Sequence, residues 1–469
     1  MRLGAFLAGE DLAADRRDGG AQIRLIGLMV LLTTPVAFIY HAAMHAMFPG
    51  TFSLPTFLFI PNVRFTDFYE PYLDARLYGP PSNTNTVYSP LVHVFMTALT
   101  HIPDFVALTL VMAVFGASLA LLIWHGVTAR VGSRRLRWVY VLIFCFLSYP
   151  VLFLVDRANL ETLVFALLAA FVWLYYWRGS RWAFLPLSLA IAAKYYAVVL
   201  LVVLVAERRW RQLALCVAAA VAAEALATVA LSAVSGFSVF QVIANTRYTL
   251  AHHQQIGIAG VWFSHNLVGA FALIDRMTGY GLQSIVGFQL ALHILELGIF
   301  VVVVICCVAY DMPAWKRLAA LVICMLVLPQ ESHDYTMIHL FLPLALIGRD
   351  GLRCPHKRII AVLFGLALVP MAWLPYQMAL LPPGSLLNFS MIIYPLVLLT
   401  LLAVILTTGV TRKDRGTAVA VPGAPAETSL PGKGATRGVA EPAAEAVAQT
   451  PAAGATLGPL GATIAETTR

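Results

Sequence analysis

"LSLAIAAKYYAVVLLVVLVAERRW", residues 187–210, decides how the rest of the chain is read. An apolar run of crossing length is interrupted at its middle by Lys194, Tyr195 and Tyr196, and it ends in Arg208, Arg209 and Arg211. An ammonium group in the middle of a lipid-exposed helix is costly. Irregular, charged backbone at membrane depth is tolerated where it is buried in protein or lines a cavity. A second run, 318–347, is broken in the same way by "PQESHDY" at 329–335. Both are expected to enter the membrane and return on the same side, as pairs of short helices facing an internal cavity.

The chain around them is mostly apolar. It has 469 residues, 60% hydrophobic and 12% charged, with a mean hydropathy of +0.82. Soluble domains carry about 25% charged residues, so the composition is that of an all-α, polytopic membrane protein. The formal charge of +8 does not point to nucleic acid. Outside the loops where membrane proteins collect Lys and Arg, no basic patch with interleaved aromatics is present. Five of the six cysteines lie in apolar runs and no C-x-x-C pair occurs, so neither a zinc site nor a disulfide framework is indicated. No cleavable signal peptide is expected, because the apolar run after the polar residues 1–24 is long enough to remain as an anchor.

Further runs of spanning length lie at 25–44, 105–125, 138–155, 160–177, 212–234, 285–309, 359–379 and 390–410. Together with the short pairs, they predict a bundle of roughly 10–13 membrane helices. Basic residues orient it. Arg2, Arg16, Arg17 and Arg24 join clusters at 130–137, 178–181, 208–211, 316–317, 349–358 and 412–415, making 22 of the 31 Lys and Arg. All 22 fall on one side, the cytoplasmic one, if 183–205 and 318–347 add no net crossing. The shorter run 88–101 is then a helix against the interface, since a crossing there would invert every later loop. The expected organisation is a cytoplasmic segment 1–24, a membrane domain 25–415 with a long first extracytoplasmic loop at 45–104, and a disordered cytoplasmic tail 416–469. That tail is rich in Ala, Pro, Gly and Thr.

The same orientation collects the polar motifs on the other face. "RFTDFYEPYLDARLYGPPSNTNTVYSPL" (64–91) is the first external loop, with a turn expected at Pro80–Pro81. "DRANLE" (156–161), "NTRYTLAHHQQ" (245–255), "FSHN" (263–266) and "PQESHDY" accompany it, as does a glycosylation sequon at Asn388. Polar groups gathered at one end of a lipid-solvated bundle describe a site. No Walker-type or dinucleotide-binding glycine motif is present.

The pieces "TDFYEPYLDARLYGP…VYSPL", "DRANLETLVFALL", "LSLAIAAKYYAVVLLVVLVAERRW", "FSHNLVGAF" and "SHDYTMIHLFLPL" follow in order over about residues 60–345. In that order the chain resembles the GT-C membrane glycosyltransferases, and in detail glycosyltransferase family 87. It departs from the family at Tyr195 and Tyr196, where relatives often carry a proline soon after the lysine. At Ala158 glycine is common. The resemblance implies an inverting hexosyltransferase in the inner membrane, with its site facing the periplasm. It would move a hexose, mannose by the family's example, from a polyprenyl-phosphate donor to an extracytoplasmic glycolipid or glycan. No cofactor and no metal are implied. The runner-up reading is a secondary transporter or lipid-carrier flippase, for which broken helices in both halves speak. The acidic external loop, which has no counterpart in the second half, speaks against it.

Such a transfer needs a carboxylate to take the acceptor's proton, donors for the leaving phosphate, and a groove for the isoprenoid. The resemblance places the catalytic aspartate at Asp67; a plain loop salt bridge with Arg64 or Arg76 is the competing reading. Glu70, three residues on, shares a helix face with it and is the reserve base or an acceptor ligand. Arg157 is a candidate phosphate grip, or a structural partner of Asp156 or Glu161. Lys194 would meet either the phosphate or an acid, Glu224 or Glu296. His252, His265, Asn266, His333 and Tyr335 are candidate phosphate or sugar ligands, and a solvated loop histidine is the alternative for each imidazole. Adjacent His252 and His253 point apart and no H-x-x-x-H spacing occurs, so the histidines do not predict zinc. His293 and Glu296 are expected to pair with each other. Tyr195, Tyr196 and Trp262 are placed in the lipid groove, with an interfacial aromatic belt as the alternative.

Overall fold

The computed structural model describes residues 20–47, 64–77, 88–256, 264–281, 285–329, 332–352, 354–370, 375–376, 387–388, 390–408 and 411–412. The expected Pro80–Pro81 turn and the C-terminal tail lie outside them, as do most of the N-terminal segment and the side chains of His252, His253 and Trp262. The described chain is an all-α, multi-pass helix bundle. Five helices are long and apolar enough to cross a membrane: Gly20–Tyr40, Asp104–Val127, Trp210–Ser235, Gly287–Ala309 and Ser390–Thr407. A sixth span is made of α5 (Arg134–Leu147) and α6 (Tyr149–Arg157), bent by 51°. Ser148 is extended at the bend, and Pro150, which has no N–H to give, stands at the start of α6.

Helix α7 (Glu161–Val172) runs on through a π-turn to Trp177. After it comes the first broken run. Helix α8 (Phe184–Ala193) stops at Lys194, whose backbone is extended, and the chain continues as a 3₁₀ helix (Tyr195–Leu200) into α9 (Leu201–Ala206). The second run has the same build: α14 (Ala314–Val327), a 3₁₀ helix (Asp334–Leu340), then α15 (Phe341–Asp350). Six and seven residues of 3₁₀ helix are long, since runs beyond three or four residues are uncommon and mark hinges or functional sites.

Both runs begin and end at one end of the bundle. The Tyr175 hydroxyl donates to Glu207 Oε2 (2.6 Å), and Arg317 Nη1 lies 2.9 Å from Glu207 Oε1. Arg349 Nη1 donates to the Tyr176 carbonyl (2.6 Å), and Arg130 donates to the carbonyls of Arg349 (2.8 Å) and Asp350 (2.9 Å). These bonds hold residues 130, 175–176, 207, 317 and 349–350 together, and 181–183 packs against 173–177. Both broken runs are therefore re-entrant, and the basic clusters share an end. A short antiparallel pairing of Tyr310–Asp311 with Thr411–Arg412 brings the chain after the last span to that end too.

Close packing there requires glycine. A Cβ on Gly348 would strike the backbone carbonyls of Gly126 and Val127, where α15 crosses the π-turn that ends the Asp104–Val127 span. One expected span is shorter than its hydropathy implied. In place of 359–379, α16 (Lys357–Leu368) ends at Val369, which is extended and precedes Pro370, a position that disfavours helix. Pro375–Tyr376 then pairs with Leu387–Asn388. The run 88–101 yields α3 (Pro90–Leu99), too short to cross. It packs on α2 (Thr66–Leu77) and on α10 (Trp210–Ser235).

Candidate active site

The site is organised by the turn between α6 and α7, "DRANLE". Ala158 adopts a left-handed conformation (φ 48°, ψ 38°), which costs a non-glycine residue about 1–2 kcal/mol. Held so, the turn sends Arg157 and Asn159 to the two oxygens of one carboxylate. Arg157 Nη2 lies 2.7 Å from Asp67 Oδ1, and Asn159 Nδ2 donates to Asp67 Oδ2 at 2.7 Å. Asn159 Nδ2 also donates to the Tyr335 hydroxyl (3.0 Å), while its Oδ1 accepts from the Glu161 N–H (2.9 Å) and caps α7. Phe65, also at positive φ, donates its N–H to the Asp156 carbonyl (2.7 Å) and so sets α2 over the turn. Among the described residues, two of the three positive-φ residues that are not glycine therefore flank this carboxylate. Backbone strain gathers at sites whose surroundings over-determine the conformation.

A second carboxylate lies at the head of α7. Glu161, wholly buried, has Lys194 Nζ 3.0 Å from Oε2 and His339 Nε2 2.6 Å from Oε1, and the Tyr196 hydroxyl donates to Oε1 as well. The tips of both re-entrant runs thus converge on one acid. Tyr88 stands between the two groups: its hydroxyl donates to the Asp67 main-chain carbonyl (3.5 Å), and its ring centroid lies 5.8 Å from Lys194 Nζ. Burial, and then the charges of Asp67 and Glu161, hold the Tyr88 phenol well above its usual range, so the hydroxyl stays a donor. Glu161 stands 14 residues before Tyr175, hence about 21 Å from the basic end at 1.5 Å per helical residue.

Several expectations are redirected by these contacts. Asp67 pairs with Arg157 and not with Arg64 or Arg76; Arg64 approaches Asp156 at 4.0 Å. Arg157 lies on Asp67 and not on Asp156 or Glu161. The acid beside Lys194 is Glu161, not Glu224 or Glu296; the latter pairs with His293 at 3.1 Å, as expected. Tyr196, assigned to a lipid groove, turns its hydroxyl onto Glu161 instead, whereas Tyr195 is exposed. Adjacent residues leaving an irregular tip point to opposite sides.

His265 and Asn266, assigned to donor binding, are wholly buried and engaged elsewhere. His265 Nδ1 lies 3.3 Å from Asp334 Oδ1, and its Nε2 faces the hydroxyls of Ser332 (3.1 Å) and Thr336 (3.3 Å). Asn266 caps the helix Leu267–Thr278 through Gly269 N–H (2.6 Å) and donates to the Pro329 carbonyl (2.6 Å). They fasten one loop to the second re-entrant tip, where Tyr149 also donates to Asp334 (2.8 Å). His333 pairs through its backbone with Ser264, and its ring stands 5.4 Å from that of Tyr335. Glu70 lies one turn beyond Asp67 and is largely exposed. Partial desolvation, and then the Asp67 charge, hold its carboxyl above the usual range.

Sequence reasoning missed His339 and Tyr88 altogether, gave Asn159 no role beyond its place in "DRANLE", and weighed Glu161 only as a partner for Arg157. A lone histidine in "MIHLFLPL" and a tyrosine ahead of "SPL" were the available signals. Among the described residues no three His, Cys, Asp or Glu side chains converge as a metal would need. A half-open cleft of about 400 Å³ lies apart from the site, between the Asp104–Val127 span and α7. Its walls include Ser118, His125, Ala166 and Trp173.

Carboxylates and cations are thus fixed together at one end of a bundle of membrane helices, supported by two re-entrant tips. The sequence model of glycosyltransferase family 87 matches residues 85–329, just over half of the chain, and the protein belongs to that family. It is a membrane glycosyltransferase, which decides against the transporter reading. The match covers Arg157, Asn159, Glu161, Lys194 and Tyr196; Asp67 and His339 lie beyond it and join the site by geometry. No curated protein and no solved structure matches the chain.

Proposed function

We propose that this glycosyltransferase moves a hexose, mannose, from a polyprenyl-phosphate donor to a hydroxyl of an extracytoplasmic glycolipid or glycan, in one inverting step with Asp67 as general base. The acceptor oxygen attacks the anomeric carbon as its proton passes to Asp67, and the bond from that carbon to the phosphate oxygen breaks on the opposite side. A single displacement inverts the anomeric configuration and needs no second, nucleophilic carboxylate. Polyprenyl phosphate leaves with one more negative charge than the diester carried, so a cation must stand beside it. Lys194 supplies that charge, and Arg157 and Asn159 hold the base in position. Glu70, at the exposed edge of α2, is suited to bind acceptor hydroxyls.

One observation carries this reading: the Asp67 carboxylate is fixed by two donors, Arg157 and Asn159, at the end opposite the basic loops. By the positive-inside rule that end faces away from the cytoplasm, on the periplasmic side of an inner membrane. The test is purified protein with a synthetic polyprenyl-phosphate mannose and a glycolipid acceptor. Release of polyprenyl phosphate is expected, and Asp67→Asn should abolish it while the protein stays folded. Full turnover by Asp67→Asn would overturn the assignment of the base, and turnover with a nucleotide sugar alone would overturn the donor class.

A further inference from the structure

The cleft between the Asp104–Val127 span and α7 has no part in the site above. Glu161 and Phe165 face His339, but the α7 side of the cleft is formed by Ala166, Ala170 and Trp173. Those three follow at i, i+4 and i+7 and lie roughly 120–180° round the helix from Glu161, at 100° per residue. The cleft opens sideways among lipid-facing residues: Leu121 in its wall is exposed, as are Leu110 and Val114 on the same span. Its volume, about 400 Å³, is that of a small-ligand pocket. Apart from Ser118 and His125 its walls are apolar, so a hydrocarbon chain suits it.

Charge decides which lipid. Both walls end in a π-turn, Ile123–Val127 in the span and Trp173–Trp177 after α7, and π-turns within helices frequently mark functional sites. The two turns meet where His125, which is exposed, touches Trp173 edge-on with centroids 5.3 Å apart. Arg130 and Arg178 stand five residues beyond His125 and Trp173, at most about 8 Å along the helix axes. That matches the headgroup layer, about 5–8 Å thick on each side of the hydrocarbon. The loops that follow the walls also carry Arg134, Arg135, Arg137 and Arg181, and neither 105–155 nor 162–206 contains an Asp or Glu. A further cation is reached through the cleft wall itself: Trp173 stacks on Trp177 (5.6 Å), and the Arg349 guanidinium lies 5.4 Å from the Trp177 ring. Acids are few here. Asp350 pairs with Arg349 (3.1 Å), and Glu207 is taken by Arg317 and Arg209. Apolar room at chain depth thus lies directly beneath an excess of positive charge at headgroup depth.

We infer that this cleft binds one anionic glycerophospholipid from the leaflet at the basic end, with an acyl chain between the span and α7 and the phosphate among the arginines of the two loops. His125 stands at the mouth, at the depth of the lipid's ester groups, and can donate to one of them. The donor's isoprenoid is not the occupant, because the cleft faces away from Glu161 and Lys194 and its cations lie at the opposite end. Bound there, the chain fills packing space that the two helices leave open and so stabilises the basic end. The inference stands whether or not the donor reading holds.

The test measures binding of phosphatidylglycerol, and of phosphatidylcholine with the same chains, to delipidated full-length protein in detergent, by native mass spectrometry and thermal unfolding. One phosphatidylglycerol should stay bound per chain and raise the melting temperature, as a ligand of the folded state must. Phosphatidylcholine should bind about tenfold or more weakly, since basic residues at the membrane surface favour anionic headgroups. Ala170→Phe fills the cleft from a half-buried position and should abolish the preference, while Leu110→Phe, elsewhere on the lipid-facing surface, should leave it unchanged. Arg178→Gln/Arg181→Gln alters only exposed side chains, so it decides the matter even if Ala170→Phe does not fold; it should weaken phosphatidylglycerol binding about tenfold and leave phosphatidylcholine unaffected. Equal binding of the two lipids, or an undiminished preference in either variant, would overturn the inference and leave the cleft to bulk lipid. Displacement of phosphatidylglycerol by a lower concentration of polyprenyl phosphate would overturn it in favour of an isoprenoid groove.

Discussion

Replacing Asn159 by alanine removes the residue on which the turn and the proposed base, Asp67, depend together. Three hydrogen bonds disappear: to Asp67 Oδ2 at 2.7 Å, to the Tyr335 hydroxyl at 3.0 Å, and from Glu161 N–H at 2.9 Å. A bond to a charged group contributes about 1.5–3 kcal/mol and a neutral one about 1 kcal/mol, and a lost helix cap costs about 1 kcal/mol. The three share one side chain and are not additive, so the loss in folding stability should be about 3 kcal/mol. Asp67 would keep Arg157 on one oxygen and could swing about it; a displacement of about 1 Å at a reacting group costs about 10²-fold in rate. The variant should therefore melt lower in detergent and release polyprenyl phosphate about a hundredfold more slowly at saturating donor. Asn159→Asp separates the two effects. It keeps an acceptor for the α7 cap but sets a second carboxylate against Asp67, a repulsion of about 5 kcal/mol at 3 Å and an effective dielectric of 20. That variant should keep more of the capping contribution than alanine yet lose all measurable turnover. Wild-type turnover in Asn159→Ala would refute the claim that this side chain holds the base.

Two further outcomes follow from the same contacts. Because the folded carboxyl of Glu70 is raised, the folded state binds its proton more tightly than the unfolded chain, so the ionised form opposes folding at neutral pH; Glu70→Gln should raise the melting temperature at pH 7, and the gain should vanish as pH falls through the carboxyl range, read by thermal unfolding against pH. Gly348→Ala forces a methyl group against the Gly126 and Val127 carbonyls and should cost about 1–3 kcal/mol, seen as a lower melting temperature in detergent with donor KM unchanged in the protein that folds.

The composition and the apolar runs are enough to define a helical membrane bundle, because lipid leaves the backbone few other ways to satisfy its hydrogen bonds. The Lys and Arg distribution likewise implies that 183–205 and 318–347 turn back, since a net crossing by either would split the basic clusters between two sides. Lys194 marks the first tip in the sequence, where a charge and two aromatics cut an apolar run. Asp67 is legible only through likeness to a family. Hydropathy misjudged the end of α16, because Val369 and Pro370 stop the helix while the apolar residues continue.

Partnership at the site belongs to the tertiary structure alone. Asp67 with Arg157 and Asn159, or Glu161 with Lys194 and His339, joins residues about 30 to 180 positions apart. Nothing local selects one acid over another for a given cation: Glu224, Glu296 and Glu161 all lie near apolar segments. The choice falls to Glu161 because the strained turn at Ala158 and the two re-entrant tips reach the same depth. Likewise only packing sends His265 and Asn266 into the interior and leaves His339, an isolated residue in an oily stretch, against a buried carboxylate. A one-dimensional pattern encodes which residues prefer lipid and which side a loop takes, since each residue carries those free energies largely by itself. Charge pairing depends on distance across the fold, and that is decided when the helices assemble.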